Sequence, residues 1–109
     1  MAKKDVPEWY EFTRTKYKKV ITSLEKLGET LRKEGPLDEK TSHLVQLGAA
    51  AAIRSEGSVH SHVRRAIAAG AQPDEVYHAI ILLTSTIGFP NTSAALSWAY
   101  DVINGKQKP

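Results

Sequence analysis

His60 and His62 lie in the part of the chain whose residue types best suit chemistry, the stretch from Glu56 to Glu75. A helix beginning near Ser58 places Val59, His62, Ala66 and Ala69 at spacings of three and four. They then share one face, with Val63 and Ile67 beside it. His62 points where the apolar residues point, which makes it a candidate general acid or base. Burial pushes such an imidazole towards its neutral form, and a nearby carboxylate pushes it back. Glu56 and Glu75 are the carboxylates available for that role. The plainer reading is a hydrogen-bonded core histidine. Arg54, Arg64 and Arg65 are the cations within reach of an anionic ligand. Arg65 lies one turn beyond His62 on the same side, whereas Arg64 faces solvent or a neighbouring subunit.

Other chemistries find less support. His60 and His62 are about 200° apart on a helix, so they cannot grip one metal together, and His60 is expected to face away from the seam. His60 is thus at most a weak candidate for substrate binding. Glu56 and His60 are four apart and could share an ion if the helix began early enough. Glu75 and His78 have the Glu-x-x-His spacing of di-iron bundles, but no second such pair accompanies them. The expectation is therefore no metal site and no cofactor. Ser58 and Ser61 sit beside the histidines, yet adjacency in sequence is not triad geometry, and Ser58 reads as a helix cap. The chain has no cysteine, which removes disulfides, thiolate metal sites and thiol catalysis.

The elements that must position these groups all read as helices. Tyr10, Thr13, Tyr17, Val20, Leu24, Leu27 and Leu31 follow a heptad-like seam, which predicts one long amphipathic helix ending at Gly35-Pro36. Such a seam must lie on something, either the rest of the domain or another subunit. Asp38 is placed to cap a second helix through Leu44, Val45, Leu47 and Ala49 to Ile53. The His62 helix follows and is stopped by Gly70. A fourth helix starts at Pro73, with Val76, Ile80, Leu83 and Ile87 as its stripe and an apolar surface nearly all round. After Gly88-Phe89-Pro90, Asn91 is placed to cap a last helix using Ala95, Leu96, Ala99 and Val102. Gly105 ends it, and the tail from Lys106 to Pro109 is expected to fray. The prediction is an all-α bundle of about five helices. It divides into an N-terminal helix over 1–36 and a core over 37–104 within one domain. A core of this apolarity predicts a homo-oligomer, with Trp9, Trp98 and Tyr100 as candidate contact residues.

Composition agrees with a globular protein: 41% hydrophobic and 25% charged residues. The formal charge is +3. Its positive residues gather at Lys3, Lys4, Arg14, Lys16, Lys18 and Lys19, with Lys106 and Lys108 at the tail. Glu8, Glu11, Glu25 and Glu29 interleave with them and no reading-helix motif is present. The charge is read as a solvated helix face, and no nucleic-acid partner is expected. No apolar run is long enough to span a bilayer, and Met1-Ala-Lys-Lys-Asp lacks a signal-peptide core, so no membrane partner and a cytoplasmic location are expected.

The run His62-Val-Arg-Arg-Ala-Ile-Ala-Ala-Gly-Ala-Gln-Pro-Asp-Glu-Val76 resembles the central signature of the carboxymuconolactone decarboxylase family, which includes the alkylhydroperoxidase D-like proteins. The resemblance extends back through Leu37-Asp38-Glu39-Lys40-Thr41 and forward through Gly88-Phe89-Pro90 to Ile103, roughly the last two thirds of the chain. It implies an all-helical subunit assembled as a dimer, trimer or hexamer, of which the apolar seam favours a trimer or hexamer, and it matches His62 to the family histidine. In the peroxidase branch two cysteines precede that histidine by seven and four residues. Here Ser55 and Ser58 occupy those places, so thiol-dependent peroxidase activity is not expected. In the decarboxylase branch the substrate is a small anionic lactone, and the resemblance makes His62 the proton donor and the arginines its anion-binding partners. Gly57 and Ser58 stand where true decarboxylases tend to carry glutamate. Two functions are carried forward: acid/base catalysis on a small anion through His62, and a non-catalytic oligomeric scaffold or binding member.

Overall fold

The computed structural model describes residues 6–105. Seven helical segments make up those residues and no strand occurs among them: α1 (Glu8–Lys16), α2 (Lys18–Lys33), α3 (Glu39–Ala52), α4 (Glu56–Ala68), α5 (Pro73–Ile81), α6 (Thr84–Ile87) and α7 (Phe89–Ile103). The chain divides into two compact units, α1–α2 and α3–α7, with the boundary between Leu37 and Asp38. Among the described residues no helix is long and apolar enough to cross a membrane. Lys3, Lys4 and the tail from Lys106 lie outside the described residues.

The expected single N-terminal helix is two. Tyr17 leaves the helical region at φ −119° and ψ 54°, and the chain turns there without a glycine or proline. The corner is held by polar contacts that seam periodicity does not reveal. The Tyr10 hydroxyl donates to Glu25 at 3.1 Å, Arg14 pairs with the same carboxylate at 3.0 Å, and the Arg14 guanidinium lies over the Tyr10 ring. Ile21 is buried, while Val20, Leu24, Leu27 and Leu31 keep 52–61% of their surface exposed. The seam thus runs along α2 alone.

In the second unit, Asp38 caps α3 by accepting from the Thr41 N–H at 2.8 Å. The helix closes with the Ser55 N–H donating to the Ala50 carbonyl, leaving Arg54 at φ 57°, a position that normally favours glycine. Leu47, Val59, Val63, Val76 and Ile80 are fully buried and are joined by Ala50, Ala51, Ala66, Ala95 and Ala99. Each of the large side chains contributes roughly 1.5–3 kcal/mol through its burial. The small ones let α3, α4 and α7 approach closely.

Three sequence expectations are corrected here. The fourth helix stops at Ile81 and resumes as the short α6, because the Thr84 hydroxyl takes the Ile81 carbonyl at 2.7 Å and competes with the helical ladder. Its apolar circumference is covered on one side only, since Ile81 and Leu82 are exposed. The last helix begins at Phe89 after Gly88 at φ 86°, and Asn91 sits inside its first turn rather than at its cap. The Asn91 amide donates to the Ile87 carbonyl at 2.9 Å and accepts from the Arg54 guanidinium, tying the α3–α4 link to the start of α7.

Candidate functional site

Helices α3 and α4 pack against each other more extensively than any other pair, and the histidines meet in their interface. With Asp38 fixing where α3 begins, Glu39 and His43 fall four apart and stack on one face. His43 is only 2% exposed and follows the same inward stripe as Leu47 and Ala50. On α4 the cap is Ser55, whose hydroxyl accepts from the Ser58 N–H at 3.3 Å, so Ser58 is not the cap expected from sequence. That start, at Glu56, turns Val59, Val63 and Ala66 into the core and leaves His62 half-buried at its edge, facing α3. Ile67, expected beside the seam, is 37% exposed.

The Nδ1 atoms of His62 and His43 are 3.2 Å apart, with the ring centroids separated by 5.4 Å and the planes inclined by 39°. On the far side of His43, Nε2 lies 3.2 Å from a Glu39 carboxylate oxygen. An ionised carboxylate only accepts, so the His43 Nε2 carries a proton. In the uncharged pair the His43 Nδ1 then carries a lone pair and His62 donates to it, which puts the lone pair of the His62 ring on Nε2. One added proton reverses the link: His43 donates through both nitrogens, and the His62 Nε2 becomes an acid. The three side chains form a continuous path from the edge of α4 to an exposed carboxylate.

The other candidates are placed elsewhere. Glu56 pairs with His60 at 3.6 Å, and the His60 side chain is only 12% exposed, so it does not face away as expected. Burial lowers the His60 pKa, Glu56 opposes the shift, Arg64 adds to it and Asp101 opposes it. Glu75 accepts from the Gln72 N–H at 2.8 Å and pairs with Lys40 at 3.0 Å. The backbone hydrogen bond, then Lys40, holds the Glu75 carboxyl below its usual range. Arg65 donates to the Ser61 hydroxyl at 3.3 Å, Arg54 reaches Asn91, and His78 is exposed. The carboxylate that joins His62 is therefore Glu39, through His43, a pair absent from the sequence expectations. Its signal was present: His43, Leu47, Ala50 and Ala51 repeat at helical spacing, with Glu39 one turn before. Among the described residues no group of three or more His, Asp or Glu side chains could hold a metal ion.

An all-helical unit whose first two helices bring together a carboxylate–imidazole–imidazole chain defines the class of protein: a small α-bundle with a line of hydrogen-bonding side chains at a helix interface. The model of the carboxymuconolactone decarboxylase family matches residues 19–101, and the chain belongs to that family. It is a member without the cysteine pair of the peroxidase branch. No match is found among curated proteins or solved structures.

Proposed function

We propose that the protein is a carboxymuconolactone decarboxylase-like catalyst that moves a proton at a small anionic substrate through His62. The observation that carries this reading is the chain Glu39–His43–His62, with both links at 3.2 Å. With one proton on the imidazole pair, the outer His62 Nε2 delivers it to the carbanion left when carbon dioxide departs. As it leaves, the proton between the rings passes from His43 back to His62, and the pair returns to its uncharged form with His62 donating to His43. Glu39 favours the charged pair by accepting from it, which makes His62 a better base for the reverse step. Arg65, three residues beyond His62 and so on the same side of α4, is the first candidate for the substrate carboxylate, with Arg54 and Arg64 as further candidates. Because Gly57 and Ser58 replace the glutamates of the true decarboxylases, the substrate is placed among small unsaturated acids and lactones of that class rather than fixed as carboxymuconolactone.

The test is turnover of a panel of small unsaturated lactone carboxylates, followed by ultraviolet absorbance. His62→Gln is expected to lose ~10²–10⁴ in rate, the worth of a positioned proton transfer, with helix content unchanged. No turnover by the unsubstituted protein, or equal turnover by His62→Gln, overturns the reading.

A scaffold reading rests on a different observation, the exposed stripe Val20, Leu24, Leu27 and Leu31 of α2. An apolar stripe of this length on a helix calls for a partner surface, and self-association as a trimer or hexamer supplies one. The two readings are compatible, since the catalytic chain lies within α3 and α4 of one subunit.

A further inference from the structure

We propose that the gap between His43 and His62 is a two-imidazole site for a divalent transition-metal ion, which takes the place of the proton the two rings share. Zinc–imidazole bonds of about 2.0–2.1 Å drawn from two nitrogens 3.2 Å apart enclose an angle of about 100°. That angle falls between octahedral and tetrahedral values. The two Nδ1 atoms thus already stand at the separation of neighbouring ligands on one ion.

Two further features favour the site. The ion needs a bare His43 Nδ1, and Glu39, accepting from Nε2, enforces that tautomer. A metal-bound histidine ordinarily donates its other N–H to a carboxylate in this way, and here the partner is in place before any ion arrives. The second feature is the depth of His43. It is 2% exposed and lies one turn before the fully buried Leu47 on α3, so one ligand is fixed while half-buried His62 closes on the ion from the outside. The lone pairs must swing some way off the line joining them, and the imidazole torsion concerned is broad and soft.

Imidazole ligands select zinc, nickel or copper over calcium or magnesium. No third His, Asp or Glu among the described residues completes the set, so water or a ligand carboxylate fills the other positions. Such an ion would hold His62 out of proton transfer. That consequence rests on the proposed function, whereas the binding does not.

Calorimetric titration of the whole chain with Zn²⁺ near pH 7 tests the proposal. One ion per chain is expected. In the uncharged pair the His62 proton moves from Nδ1 to Nε2 with no net release, and the protonated pair releases one proton, so binding tightens as pH rises. His62→Ala should abolish binding, Glu39→Gln should weaken it by about tenfold, and His60→Ala should leave it unchanged. In the unsubstituted protein, ¹⁵N-imidazole spectra should show the Nδ1 resonances of His43 and His62 moving together on adding Zn²⁺, a readout independent of how any variant folds. The proposal is overturned by absence of binding, by undiminished binding to His62→Ala, by loss of binding in His60→Ala, or by resonance changes confined to His60 or His78.

Discussion

His60 and His62 are two residues apart and meet different surroundings. Burial lowers the His60 pKa from the ordinary 6.5, the Arg64 charge adds to that shift, and the charges of Glu56, 3.6 Å away, and Asp101 oppose it. The unfolded chain therefore binds this proton at a pH where the folded chain does not. Stability from neutral His60 is complete above about pH 6.5 and is lost progressively as pH falls from there towards the lowered folded value. Denaturant melts at pH 7.5 and 5.5 should show the unsubstituted protein losing more stability across the interval than His60→Gln. Equal losses would remove His60 as the source. The sequence led to His62 because its neighbours repeat with helical spacing. His43 was legible only as one position of the α3 stripe, because its pairing with a residue nineteen positions away comes from the packing of α3 on α4.

At the scale of the elements, the caps decide which side chains meet. Asp38 and Ser55 start α3 and α4 so that His43 and His62 face each other, and Arg54 accepts a left-handed backbone to link the two helices. Arg54→Gly should relieve a backbone cost of roughly 1 kcal/mol while losing the tie to Asn91, giving a small net change. Asn91→Ala loses that tie and also leaves the Ile87 carbonyl without its amide partner, so it should cost about 1–2 kcal/mol. A melt in which Arg54→Gly is the more damaging of the two would contradict this account of the link. Helix type and most boundaries were legible from spacing, from Asp38, from Pro73 and from the three glycines of positive φ. The corner at Tyr17 and the break after Ile81 were not. Each depends on side chains, Tyr10 with Arg14 and Glu25 in one case and Thr84 in the other, that take hydrogen bonds no hydropathy pattern records.

For the whole molecule, family membership and the all-helical architecture leave the assembly as the open consequence of the α2 stripe. Leu24 is more than half exposed in the single chain, so charging it should leave the α1–α2 corner folded. Leu24→Glu is expected to shift sedimentation from a trimer or hexamer towards the 12.0 kDa chain without loss of helix signal. An unsubstituted protein that already sediments as a monomer at micromolar concentration would remove the oligomer from the account.

The central claim is that Glu39, His43 and His62 behave as one proton path. A ¹⁵N-imidazole NMR titration of His62 in the unsubstituted protein and in Glu39→Gln tests it directly and needs no substrate. Glu39 reaches His62 only through the ring of His43, yet a neutral amide in its place makes the protonated pair less favourable. The His62 titration should therefore move to lower pH in Glu39→Gln, with the His43 resonances moving alongside. A His62 curve that is the same in both proteins would contradict the path.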